Sequence, residues 1–195
     1  MFNDKYGLTN AVLQGRKTMT RRTIENKDEI DAMVYARGSA EKKMEYMLGK
    51  SKYKIGEVVA VAQAYKYVLN ELPDRYREMV IGLYSDSKAW TNKLYIRPDL
   101  MPHTIRITDI KVERLQDVSE EDCMKEGIYR WKDMEDCPKS LNEIQRNRFG
   151  YYGVWDAFST PRKAFADLVD KPGVGGKGTW GRNPYVFVYS FKLIK

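Results

Sequence analysis

Hydrophobic residues fall along the chain in short runs divided by long polar connections, and the spacing within each run predicts its element. Leu8, Val12 and Leu13 open a short helix that Thr9 or Asn10 can cap and that Gly15, a common left-handed stop, ends. Met44, Met47 and Leu48 recur at helical spacing in the polar stretch 25–52, whose other apolar residues are Met33, Val34 and Tyr35. The spacing predicts a surface helix with Lys42, Lys43, Lys50 and Lys52 on its solvated side. Gly56 marks a turn, and Val58 to Val61 read as a central strand. Leu69, Leu72, Tyr76, Met79 and Val80 are roughly periodic, with Pro73 near a helix start. Tyr84, Trp90 and Tyr95 follow in a loop or hairpin, and packing is the favoured role for them over base stacking.

Pro98 and Pro102 restrict the residues before them, so 97–103 is an extended segment. Ile105, Ile107 and the run Ile110 to Val112 then alternate as a strand ending near Leu115. Ser119 caps a helix, with Asp122 three residues on as a shortened capping-box acid, and Gly127 stops it. That places Glu126 in the last turn, where a carboxylate opposes the helix dipole. It is either solvated or has a cationic partner or a task. Phe158, Ala164, Phe165, Leu168 and Val169 mark an amphipathic helix, and Tyr185 to Ile194 a strong final strand. Between them, residues 171–181 form a glycine-rich loop. Lys177 is followed by Gly178 rather than Ser or Thr, so a phosphate-binding loop is rejected. Strands with long connections and scattered helices do not alternate as βαβ. They fit an α+β fold, a small curved sheet or barrel covered by helices.

A chain of 195 residues, 43% hydrophobic, suits a single domain with a real core. The formal charge of +7 favours a polyanionic partner only slightly. With Cys123, Cys137 and His103 as the whole complement of cysteine and histidine, no metal site is expected, and no organic cofactor. No basic and apolar leader opens the sequence, and no run is long enough to span a membrane. A reduced, cytoplasmic protein is the expectation.

The densest chemistry follows Gly15. Arg16, Lys17, Arg21 and Arg22 stand with Thr18 and Thr20 between them, an arrangement that calls for something anionic or reactive opposite. This GRKTMTRR stretch and Arg114 to Ile128, RLQDVSEEDCMKEGI, are two specific features of one family. With the Gly56 turn, the segment from Arg97, Trp155-Asp156 and the Asn183-Pro184 entry to the last strand, they resemble the ASCH domain of the PUA-like superfamily, in its longer phage-derived and bacterial form. The resemblance extends over most of 1–195, with insertions at about 25–52, 68–95 and 130–180.

The resemblance implies a small β-barrel with flanking helices and a cleft that recognises RNA or a modified nucleoside. The basic residues of that cleft are Arg16, Lys17, Arg21 and Arg22. Some small bacterial ASCH proteins are amidohydrolases that deacetylate N4-acetylcytidine, and by this resemblance their active residues fall on Lys17, Thr20 and Glu126. Lysine and threonine three apart share one side of a turn. A desolvated lysine can activate a threonine hydroxyl, and a carboxylate can protonate the leaving amine or orient the base. The first expectation is therefore RNA or modified-nucleoside binding. The alternatives are an amidohydrolase on an N4-acylated cytidine-like base, and a phage-accessory interaction protein without ligand. The three differ in what they need: a closed pocket joining Lys17, Thr20 and Glu126, an open basic groove, or an exposed apolar patch.

Overall fold

The computed structural model describes residues 2–24, 39–135, 137–154 and 157–194. Met33, Val34 and Tyr35, the pair Trp155-Asp156 and the side chain of Met44 lie outside the described residues. The elements in order are α1 (Leu8–Leu13), β1 (Met19–Thr23), α2 (Ala40–Gly49), β2 (Val58–Ala60), α3 (Tyr65–Val68), α4 (Asp74–Tyr84), β3 (Thr104–Arg114), α5 (Glu120–Lys125), β4 (Tyr129–Arg130), α6 (Glu143–Arg146), β5 (Phe149–Gly150), α7 (Pro161–Val169), α8 (Thr179–Arg182) and β6 (Tyr185–Ile194).

Four strands form one antiparallel sheet in the order β1-β6-β3-β2, curled into a half-barrel. β6 is central because both of its faces are apolar. Val186 and Val188 enter a core shared with α7 through Phe165 and Leu168. Phe187, Tyr189 and Phe191 enter the core inside the curl, with Ile105, Ile107 and Val112. Those three β3 residues change parity between 107 and 112. A bulge at Thr108 makes this possible: Ile107 faces Phe191, but Asp109 faces Ser190. The extra residue returns Val112 to the inner face and bends the strand. The expected central strand at 58–61 is instead a short edge strand, with Val58 exposed. Valine content alone does not distinguish edge from centre.

α1 starts two or three residues earlier than Thr9 or Asn10 would set it, with Gly7 as N-cap at φ +63° and no side-chain cap. Thr9 turns inward instead and is buried. Ser119 caps α5 as expected, accepting from the Asp122 N–H at 3.0 Å. The Asp122 carboxylate does not reciprocate, because three cations claim it. Residues 65–101 build a satellite core around Tyr65, Val80 and Leu100, against which Tyr84 and Trp90 pack, while Tyr95 stays exposed. Both cysteines are free thiols.

Candidate functional site

Backbone hydrogen bonds fix the segment after α1. Lys17 N–H donates to the Ala11 carbonyl and Thr18 N–H to the Lys125 carbonyl, each at 2.9 Å. The chain is thus clamped between the ends of α1 and α5. Gly127, at φ +102°, ends α5 and leaves room for this approach. A Cβ there would already touch the Lys17 and Leu8 side chains at 3.7 and 3.4 Å. Lys17 therefore passes over the end of α5 and reaches Glu126. Its Nζ donates to a Glu126 carboxylate oxygen at 2.6 Å and to the Glu126 carbonyl at 2.8 Å. Lys17 is 2% exposed and Glu126 4%. Glu126 at the helix end thus does have a cationic partner.

Arg21 reaches the other carboxylate oxygen of Glu126 at 3.0 Å. The same guanidinium contacts Glu113 at 2.7 Å and Asp122 at 3.2 Å. Strand alternation explains the meeting: Arg21 pairs with Val188, which pairs with Lys111, so Arg21, Lys111 and Glu113 share the face toward α5 and α7. Lys111 then bridges Glu113 at 2.9 Å and Asp122 at 3.2 Å. Buried charge is tolerated here because each carboxylate meets a cation.

Burial holds the Lys17 amine below its ordinary value; Glu126 opposes this, and Arg22 and Arg21 act in the same direction as burial. Burial also opposes the Arg21 charge, but Glu126 and Glu113 outweigh it and raise its pKa. Asp122 is lowered: burial would raise it, and Lys111 and Arg21 prevail. Burial pushes the Cys123 thiol up to about 12, so it is an inert core residue.

Lys17 and Thr20 do not share a helical turn. Lys17 precedes β1, and Thr20 lies within it on the inner face with Arg22, opposite to Arg21. They nonetheless meet at one cavity. A space of about 80 Å³ is lined by Lys17, Thr20, Arg21, Arg22 and Glu126, over an apolar wall that includes Leu115 and Phe165. Gly173 to Gly175 of the glycine-rich loop and Asn3 close its outer side. A second lobe of about 90 Å³ lies inside the curl of the sheet, among Tyr53, Ile105, Ile107, Tyr189 and Phe191. Phe2, Thr20 and Arg22 line both lobes. Thr20 is buried, and among the described residues its hydroxyl has no hydrogen-bond partner.

Comparison with protein-family models, curated proteins and solved structures finds no match for this chain.

The four cations of the motif are thus divided. Lys17 and Arg21 are committed to buried carboxylates. Arg22 lines the cleft and donates to the Arg21 carbonyl at 3.1 Å. Arg16 lies outside, donating to Gln14 and standing 5.8 Å from the centre of the Tyr129 ring. Arg16 borders a separate open groove of about 300 Å³ with Met124, Tyr129 and Arg130. No group of acidic, histidine or cysteine residues suited to a metal occurs among the described residues. No helix among them is long and apolar enough to cross a membrane. Sequence reasoning missed Glu113, Asp122 and the glycine-loop wall. Glu113 stands where the strand register turns it toward α5 and α7, a signal present only once β3 is paired with β6.

Proposed function

We propose that this chain is an ASCH-type, PUA-like domain that hydrolyses the amide of an N-acylated, cytidine-like base. The observation that carries the reading is the meeting of a buried Lys17–Glu126 pair with an unpartnered Thr20 hydroxyl at one cavity. A neutral amine has two N–H bonds and one lone pair. Both Glu126 acceptors around Lys17 take N–H bonds, which leaves the lone pair as its one remaining position. Burial favours that neutral form. Arg21 keeps Glu126 compensated when Lys17 gives up its charge.

In the proposed reaction Lys17 takes the Thr20 proton as Oγ1 attacks the acyl carbon. Arg22, two residues along the same strand face, stabilises the oxyanion. The C–N bond breaks, and the proton held between Lys17 and Glu126 passes to the departing amine. Water, deprotonated by Lys17, then cleaves the threonine ester, releases the carboxylic acid and restores the hydroxyl. The test is release of cytidine from N4-acylcytidines by the purified protein, followed chromatographically. Thr20→Val and Lys17→Ala both abolish it, and Thr20→Val stays folded because its hydroxyl has no partner to lose. Turnover that survives either substitution refutes the assignment.

A second reading, RNA or modified-nucleoside binding, is favoured by the outer groove. There the Arg130 guanidinium makes no hydrogen bond or ion pair among the described residues and stands 5.1 Å from the Phe149 ring centre. Two ring-stacked arginines at one groove suit phosphate and base contacts. Affinity for RNA that falls steeply with salt and with Arg16→Ala or Arg130→Ala supports it; salt-independent or absent binding overturns it.

A further inference from the structure

The proposed hydrolase reading leaves the second lobe unused, and its chemistry differs from that of the first. Phe2, Tyr53, Ile105, Ile107, Tyr189 and Phe191 supply its walls, and among the described residues Arg22 is its one charged lining residue. The tyrosines turn apolar surface inward. Tyr53 meets Tyr189 edge-on, with ring centres 5.4 Å apart. The Tyr189 hydroxyl is already satisfied by the buried Ser51 Oγ at 3.0 Å. Among the described lining residues the polar groups are Thr20, Arg22 and the two tyrosine hydroxyls, and the rest of the wall is apolar. Thr20 and Arg22 stand at the boundary, and the proton-transferring pair lies wholly on the other side.

We infer that the lobe inside the curled sheet is an acyl-tail subsite, and that the preferred substrates carry an apolar acyl group larger than acetyl. This rests on the hydrolase reading above. A carbonyl held at Thr20 divides the substrate in two. The nitrogen must face Lys17 and Glu126, where its proton comes from, so the acyl tail enters the aromatic lobe. A single methyl leaves most of about 90 Å³ unfilled. Each further methylene taken from water raises kcat/KM about four-fold, so butanoyl exceeds acetyl by about fifteen-fold. A flat aromatic acyl group fits between the ring walls and gains at least as much.

The experiment compares kcat/KM of the full chain for N4-acetyl-, N4-butanoyl- and N4-benzoylcytidine. Ala62, which lines the lobe, is replaced in parallel: Ala62→Leu shortens the space and lowers the butanoyl-to-acetyl ratio. Turnover with acetyl equal to or better than the larger groups overturns the subsite and leaves the hydrolase reading standing. An unchanged ratio in folded Ala62→Leu also overturns the subsite. No turnover of any of the three by folded protein overturns both. If Ala62→Leu fails to fold, the wild-type ratio decides the question.

Discussion

Glu126→Gln and Lys17→Met remove opposite halves of one buried ion pair, and their costs are expected to be unequal. Glu126 serves two cations, Lys17 at 2.6 Å and Arg21 at 3.0 Å. Glu126→Gln preserves size but strips both of their shared carboxylate. Arg21 keeps Glu113 and Asp122, whereas Lys17 has no other carboxylate among the described residues and is left buried without one. Leaving buried charge uncompensated costs about 3–5 kcal/mol, so about 4 kcal/mol is expected. Lys17→Met removes the cation instead. It forfeits two hydrogen bonds, worth about 1 kcal/mol each after exchange with water, but recovers the desolvation of the amine and leaves Glu126 paired with Arg21. A net cost of about 1 kcal/mol follows. In the double variant the stranded lysine is gone, and the expected cost is about 2 kcal/mol, a coupling of about 3 kcal/mol between the sites. Urea unfolding measures this directly. With a slope of about 2 kcal/mol per molar, the midpoint falls by about 2 M for Glu126→Gln and about 0.5 M for Lys17→Met. Equal costs for the single variants, or an additive double variant, would refute the shared-carboxylate account.

Four further outcomes follow from the same geometry. Since Lys17 must be neutral to act as base and its pKa is lowered by burial, kcat/KM for amide hydrolysis rises with pH to a plateau whose midpoint lies below 10.5; a midpoint at or above that value refutes the role. Stability carries the matching sign: the unfolded lysine binds a proton that the folded one has lost, so stability increases with pH between the folded value and 10.5, and Lys17→Met flattens that rise in unfolding curves. Asp122 is lowered, so its contribution is complete above pH 3.8 and disappears as pH falls through its folded value; Asp122→Asn removes this acid-side slope. At Gly175 a Cβ would lie 2.7 Å from the Val169 carbonyl oxygen, so Gly175→Ala shifts the cavity wall, costs about 1–3 kcal/mol in thermal unfolding and raises KM.

Local signals determined several parts of this protein from sequence. Ser119 and Gly127 bounded α5, Pro73 marked the entry to α4, and the unbroken apolar run 185–194 gave β6, since capping and packing on two faces are properties of short segments. Parity along a strand is also local, yet Ile105 and Ile107 on one parity and Ile110 and Val112 on the other became interpretable only with the Thr108 bulge. Val58 to Val61 looked central because β-branched residues suit any strand; its place at the edge depends on which strands pair, a non-local choice. The GRKTMTRR motif declared a cluster of cations but not its use. Sequence put Lys17 and Thr20 on one turn, whereas the structure makes 19–23 a strand and joins the two through a cavity bounded by α1, α5 and the glycine-rich loop. Arg21 and Arg22 are neighbours of identical chemistry in sequence. Pairing with β6 sends one to three carboxylates and the other to the cleft, because strand alternation turns adjacent side chains to opposite faces and only tertiary packing decides what each face meets.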